Sequence, residues 1–167
     1  MFISVSTFLE VWEKEAQATL KILDVLTDDS LKQSVTNQDR SVGRIAWHLV
    51  TTIPEMMGKT GLILESMNED APLPNTATEI LHNYREVSNS LVTAINNQWN
   101  DQTLLEKRDM YGETWAIGST LSALIDHQIH HRGQMTVLMR QAGLKVPGIY
   151  GPAREDWGHI GMEPPLV

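Results

Sequence analysis

The chain has 167 residues, 41% of them hydrophobic, which is typical of one domain that buries a single apolar core. Its 21 acidic and 13 basic residues give a formal net charge of -8 without a cluster of Lys and Arg, and this argues against nucleic acid as a partner, because such binding depends on neutralising phosphates. The chain has no cysteine, which excludes disulfides, metal sites with cysteine ligands and a protein thiol nucleophile.

The N-terminal segment predicts a cytoplasmic protein that opens with an α-helix. Residues 1–15 turn acidic early and lack the basic region of a secretory signal, and no apolar run in the chain is long enough to span a membrane. We therefore expect a cytoplasmic location and no membrane partner. From Phe8 to Leu26, apolar residues recur mostly at three- and four-residue steps, which predicts a first helix over about 4–27.

Two further helices are predicted in the middle of the chain. Ser41 is a good N-cap for a second helix over about 41–66, in which Pro54 should produce a kink because its ring displaces a backbone hydrogen bond. A proline-containing loop follows. The third helix is predicted over about 77–99, with an apolar face opposite a polar face that carries His82, and we expect His82 to be solvated.

The last part of the chain predicts a fourth helix and a tail. The stretch 100–118 is polar and irregular and could hold a short hairpin. A fourth helix is predicted over about 119–143, from a cap at Ser119 to a stop at Gly143. Residues 144–167 are rich in proline and are expected to form an extended tail. Four amphipathic helices without convincing strands predict an all-α fold, a four-helix bundle that forms a single domain.

Three histidines lie on the predicted core-facing sides of two helices. His127 and His131 are four residues apart in the fourth helix, so they lie about 40° apart around its axis and can face one ion. His48 in the second helix is the best third ligand, because catalytic metal sites usually combine three protein ligands with one open position. The alternative for each residue is a buried histidine that is hydrogen-bonded to its neighbours.

The residues around the histidine pair differ from a HExxH metalloprotease motif. Gln128 stands where that motif requires a Glu general base, and an amide cannot take a proton from metal-bound water, so peptidase activity is disfavoured. His130 lies about 60° around the helix from His127, and we expect it either to support the site by pairing with Asp126 or to lie at the surface. His159 lies in the tail, where we expect no role in the site.

The sequence IAWHLV around His48, and DHQIHHRGQM followed by VPGIYGPAREDW, resemble the DinB/YfiT-like family of metalloenzymes over nearly the whole chain. The resemblance implies a four-helix bundle in which His48, His127 and His131 hold a divalent ion, usually nickel or zinc. It also implies a homodimer and an association with stress, since the family name refers to induction by DNA damage and not to DNA binding. Of the other residues that match the family pattern, we expect Arg132 to pair with an acidic residue and Gly133 to allow close helix packing.

The resemblance leads to a hypothesis about function. Members of the superfamily include transferases and isomerases that use thiols such as bacillithiol, mycothiol or glutathione. We therefore expect a metal-dependent transferase that presents a small-molecule thiol to an electrophile, because a metal ion with an open position lowers the pKa of an acid that coordinates it. Two alternatives remain: metal-hydroxide hydrolysis, and a non-catalytic stress-associated bundle whose structural metal could have Glu55 as a fourth ligand.

Overall fold

Four α-helices and one short β-hairpin form the regular structure of residues 1–65 and 71–166, the part of the chain that the computed structural model describes. The helices are α1 (Val5–Asp24), α2 (Val42–Thr60), α3 (Ala77–Gln98) and α4 (Ile117–Gln141). The hairpin pairs β1 (Lys107–Met110) with β2 (Glu113–Ala116) in antiparallel register and lies between α3 and α4 along the chain. Short 3₁₀ helices occupy Ser30–Lys32, Thr103–Leu105 and Arg154–Ile160.

The second helix has the predicted start and a different end. Ser41 caps α2, and its hydroxyl accepts a hydrogen bond from a backbone N–H of the first turn at 3.3 Å. The helix ends at Thr60 and does not continue to the predicted residue 66, because Gly61 adopts a φ of 85° and its N–H turns back to the last carbonyl oxygens of the helix. Pro54 lies inside α2, and the kink expected there remains a prediction.

The hairpin changes where the fourth helix begins. The hairpin suggested for 100–118 is present as β1 and β2, and because β2 leads directly into α4, the helix begins at Ile117 and not after Ser119. The tail is not extended throughout, since Arg154–Ile160 forms a 3₁₀ helix. The first and third helices lie within two or three residues of their predicted boundaries.

The helices pack around one apolar core in the spatial order α1, α3, α2, α4. Both α1 and α2 contact α3 and α4. One fully buried side chain from each helix illustrates the core: Trp12, Ile53, Leu91 and Leu124 are all 0% exposed. Burying a large apolar side chain contributes roughly 1.5–3 kcal/mol to the free energy of unfolding, so apolar contacts hold the bundle together. The arrangement of the four helices confirms the predicted all-α fold. No helix of the described residues combines the length and the apolar character that crossing a membrane requires.

A single buried amide joins all four helices. Gln128 on α4 is fully buried, and its Oε1 accepts hydrogen bonds from the Tyr84 hydroxyl of α3 at 3.0 Å and from the Thr19 hydroxyl of α1 at 3.4 Å. Its Nε2 donates to the Leu49 carbonyl oxygen of α2 at 3.1 Å. Because buried polar groups are costly without partners, these bonds fix the register of α4 against the other three helices.

A buried ion pair fastens the tail to the bundle. Arg132 on α4 pairs with Glu15 on α1, which confirms that Arg132 has an acidic partner. Its Nη1 also donates to the Thr19 hydroxyl at 3.0 Å. The Tyr150 hydroxyl of the tail accepts a hydrogen bond from Arg132 and donates one to the Glu15 carboxylate at 2.6 Å. Burial and the hydrogen bond to Glu15 raise the pKa of Tyr150 to about 12, so this hydroxyl keeps its proton and remains a donor.

Replacing Gln128 by Glu should destabilise the protein by about 2 kcal/mol or more at pH 7, because a buried carboxylate would face the Leu49 carbonyl oxygen without a donor between them. Burial should raise the pKa of the introduced carboxyl group above its ordinary value of about 4.3, so the loss should be smaller at pH 5 than at pH 7. Urea unfolding followed by circular dichroism measures both values. Gln141→Glu, at an exposed position of α4, is the matched control. Equal stability of Gln128→Glu and the wild type at pH 7 would contradict this role of the amide.

Candidate metal centre

Three histidine imidazoles converge between α2 and α4. His48 belongs to α2, while His127 and His131 are one turn apart on α4. The Nε2 atom of His127 lies 3.1 Å from Nε2 of His48 and 3.1 Å from Nε2 of His131. His131 is buried and the other two side chains are half-buried. The structure therefore brings together the three residues that the sequence selected, in a cluster that can hold a metal ion.

The backbone register explains why the imidazoles meet. Four-residue spacing places His127 and His131 on one face of α4. The next side chain, Gln128, enters the core and donates a hydrogen bond to the Leu49 carbonyl oxygen at 3.1 Å. Because Leu49 directly follows His48, this bond holds His48 level with His127. The amide that replaces the Glu of a HExxH motif therefore acts as a hydrogen-bonding residue of the core.

Two polar side chains orient the imidazoles. Gln134 Oε1 lies 2.7 Å from Nδ1 of His131, and because an amide oxygen only accepts, this Nδ1 carries the proton. The Thr52 hydroxyl lies 3.2 Å from Nδ1 of His48 and can hold that ring in the same way. A protonated Nδ1 leaves the Nε2 lone pair directed into the cluster, as is typical of metal-binding histidines. Helical spacing could have indicated both residues, since they follow their histidines by three and four positions.

The protein alone does not satisfy the nitrogen atoms of the cluster. His127 Nδ1 is buried and has no hydrogen-bond partner in the described part of the chain. Neutral His131 donates through Nδ1 to Gln134, so its Nε2 offers only a lone pair. His127 Nε2 cannot be both donor to His131 and acceptor from His48, so one of the two 3.1 Å contacts is not an ordinary hydrogen bond.

A divalent ion would satisfy all three Nε2 atoms at once. Zinc binds imidazole nitrogen at about 2.0–2.1 Å, so tetrahedral geometry separates two such ligands by about 3.3 Å. The observed Nε2 separations of 3.1 Å from His127 to its two neighbours are close to that value. The residues present therefore fit a divalent transition metal.

Burial keeps the three imidazoles neutral. It lowers the pKa of His48 and of His127 from the ordinary 6.5 to about 4, and it also lowers the pKa of His131. Neighbouring imidazoles and the positive charge of Arg40 add to this effect, whereas the hydrogen bond to Gln134 raises the pKa of His131. The neutral imidazole is the form that binds metal, so protons compete weakly for this cluster at neutral pH.

Other candidates from the sequence lie outside the cluster. Glu55, expected as the fourth ligand of a closed structural site, accepts a hydrogen bond from the Tyr111 hydroxyl at 2.8 Å and lies 3.9 Å from Nζ of Lys59. That expectation is wrong, because the Glu55 carboxylate oxygens are not among the ligand atoms that could hold a metal ion in the described residues. His82 is exposed on α3, as predicted, and His159 is exposed in the tail.

Two further residues of the HHRGQ run lie at the surface. His130 is exposed, which agrees with the surface position given as one of its two alternatives. Its Nε2 lies 3.1 Å from Nε2 of Gln134, and the described residues show no pair between His130 and Asp126. Gly133 is also exposed, and a Cβ atom there would meet no described atom within 4 Å. The expectation that Gly133 allows close packing between helices is therefore wrong.

A cavity lies beside the cluster and was not predicted from the sequence. It has a volume of about 510 Å³, and its wall includes His131, Gln134 and Arg40. The volume lies in the range of small-molecule sites. The wall combines the connection before α2 with the first turn of α2 and with α4, so no local sequence pattern could have marked it.

The class of protein is an all-α bundle with three convergent histidines that could hold a metal ion. Comparisons with known proteins give its family. A sequence model of the DinB family matches residues 1–164. The chain is 51% identical over 167 residues to the uncharacterized protein YrdA of Bacillus subtilis (strain 168), with 100% of both chains covered. This protein therefore belongs to the DinB family.

Solved structures agree with this assignment. The crystal structure of a DinB-like protein from Bacillus cereus ATCC 10987 is similar with a TM-score of 0.86 and 45% sequence identity, covering 90% of this chain and 100% of that chain. The DinB-like protein YjoA of Bacillus subtilis is similar with a TM-score of 0.67, covering 86% of this chain and 97% of that chain. Its identity is 13%, so this second likeness concerns the fold alone.

We predict that the purified protein binds one divalent ion per chain through His48, His127 and His131. Replacing any one of them by Gln should lower metal affinity more than about 100-fold. Loss of a residue that only orients a ligand already lowers affinity by about 10- to 100-fold, and loss of the ligand itself should cost more. Calorimetric titration with zinc and with nickel measures the affinities. His82→Gln and His159→Gln are controls that should bind like the wild type. Full occupancy in a His48→Ala, His127→Ala double variant would refute the site.

The stability of metal-free protein should fall as the pH decreases from about 6.5 to about 4. The folded-state pKa of His48 and of His127 is lowered to about 4, so in this window the unfolded chain binds protons that the folded chain does not. Urea unfolding of chelator-treated protein at several pH values measures the slope. A His48→Gln, His127→Gln double variant should have a flatter slope, whereas His82→Gln should keep the slope of the wild type. An unchanged slope in the double variant would contradict the assignment.

Proposed function

We propose that this protein is a metal-dependent transferase that uses a low-molecular-weight thiol as a cosubstrate. The observation that carries the proposal is the convergence of three imidazole Nε2 atoms, at contacts of 3.1 Å, beside a cavity of about 510 Å³. Three histidines leave one position open on a four-coordinate ion, and the cavity gives a small molecule room to approach that position. Thiol-dependent transferases among related proteins support the same reaction class.

The charge of the ligand set favours thiol chemistry. His48, His127 and His131 are neutral ligands, so a bound divalent ion would keep its full positive charge and lower the pKa of a coordinating thiol from about 8.5. We propose nickel or zinc as the ion, since imidazole suits both. The protein would need no thiol of its own, in keeping with the absence of cysteine.

The protein's own residues would orient the reactants. Thr52 and Gln134 hold two of the imidazoles through their Nδ1 atoms. Gln128 is directed into the core, and the cluster found in the described residues consists of imidazoles without a carboxylate. A site without a carboxylate base is poorly suited to peptide hydrolysis. It suits a thiol cosubstrate, because the ion would lower the pKa of the thiol and the resulting thiolate could attack an electrophile without a protein base.

The family resemblance supports three further proposals about the protein in the cell. We propose a cytoplasmic location, where low-molecular-weight thiols are kept reduced. We also propose a homodimer, as in related proteins, and a role in the response to stress. Size-exclusion chromatography with light scattering tests the oligomeric state directly.

We predict that bacillithiol, mycothiol or glutathione binds cobalt-substituted protein through sulfur. Sulfur coordination should add a charge-transfer band in the near ultraviolet, because the open position accepts a soft ligand as well as water. Titration at millimolar thiol, followed by absorption spectroscopy, measures it. S-methylglutathione, which lacks a free thiol, and the His48→Gln variant are the controls. If all three thiols leave the spectrum unchanged, the thiol-transferase proposal fails.

A further inference from the structure

The connection before α2, the first turn of α2 and the C-terminal half of α4 enclose the cavity beside His131. Apolar wall is contributed by Val35, Ile45, Val137 and Leu138. Val35 and Val137 are 65% and 57% exposed, so a ligand in the cavity would cover apolar surface that faces water. The apolar part of the cavity therefore suits a short alkyl group.

Arg40 is the cationic side chain among the described residues that line this cavity. It lines the wall together with Asp39, but its guanidinium makes no hydrogen bond or ion pair with residues 1–65 and 71–166. The Asp39 carboxylate, in contrast, accepts hydrogen bonds from the backbone N–H of Thr36 at 3.0 Å and from its hydroxyl at 2.8 Å. The Asp39 carboxylate keeps its charge but is held in its own turn, whereas the Arg40 guanidinium has no such contact with the described residues and can pair with a ligand, although the net charge of the whole chain is -8.

Arg40 is exposed at the end of the connection before α2, so its guanidinium is accessible to a ligand that enters the cavity. Arg40 and His131 line the same cavity, so one small ligand can contact both. The N-terminal end of α2, with Ile45 in the cavity wall, adds the positive end of a helix dipole. The guanidinium and the helix terminus would both attract a negatively charged ligand in this cavity.

We propose that the cavity is the binding site for a small aliphatic carboxylate, with Arg40 as the residue that pairs with the carboxylate. The planar guanidinium matches a carboxylate in two hydrogen bonds, and the apolar wall covers the alkyl chain. This inference rests on the proposed function in one respect: it identifies the thiol cosubstrate as one that carries a carboxylate. The anion site itself does not depend on sulfur.

Two thiols of equal chain length test the site on zinc-loaded protein. Isothermal titration should show that 3-mercaptopropionate binds about fivefold or more tightly than 3-mercapto-1-propanol, because only the acid can pair with Arg40. Arg40→Gln should remove this preference by weakening the acid while leaving the alcohol unchanged. Arg40→Lys should keep part of it. Arg44→Gln removes an exposed charge outside the cavity wall and should keep all of it.

A third ligand separates this inference from the proposed function. Butyrate has the carboxylate and alkyl chain without a thiol, and it should bind wild-type protein and lose affinity in Arg40→Gln. If butyrate and 3-mercaptopropionate bind with the same dependence on Arg40 while 3-mercapto-1-propanol does not bind, the anion site stands and thiol binding fails. If acid and alcohol bind wild-type protein equally, or if Arg40→Gln keeps the preference, the anion site is overturned while thiol binding survives. Absence of binding by all three ligands overturns both.

Discussion

The side chain of Gln128 holds α1, α2 and α3 against α4 through three hydrogen bonds in the core. Apolar contacts bring helices together but allow one helix to slide along another, whereas an amide with fixed donor and acceptor positions does not. One of its bonds ends on Leu49, the neighbour of His48. The geometry of the histidine cluster is therefore a consequence of hydrogen bonding in the core.

Burial and charge then determine what the cluster can do. Water is excluded far enough to keep the imidazoles neutral, yet a cavity still reaches His131. Neutral ligands with facing lone pairs attract a cation, and the guanidinium of Arg40 at the cavity wall attracts an anion. A site of this kind gains most when a cation and an anion arrive together, because the two opposite charges attract each other.

Helical periodicity was sufficient to predict the helices and the histidine cluster from the sequence. His127 and His131 share a helix face at any tertiary arrangement, and His48 lies on the core side of its own helix, so the set could be selected before the fold was known. The early end of α2 and the start of α4 depend on Gly61 and on a hairpin whose pairing is not local. The cavity wall needs a loop and two helices together, and the exposure of Gly133 depends on which face of α4 has neighbours.

The convergence of α2 and α4 at the histidines has a topological consequence. His48 and His127 are 79 positions apart, so an ion held by both would cross-link distant parts of a chain that has no disulfide. In the chain-entropy description, a covalent link across such a loop destabilises the unfolded ensemble by roughly 4.5 kcal/mol. A metal ion retained only by the folded state also raises the free energy of unfolding, through its binding free energy. Loss of such an ion would lower the free energy of unfolding, so metal-free chains would open to proteases more often than metal-bound chains.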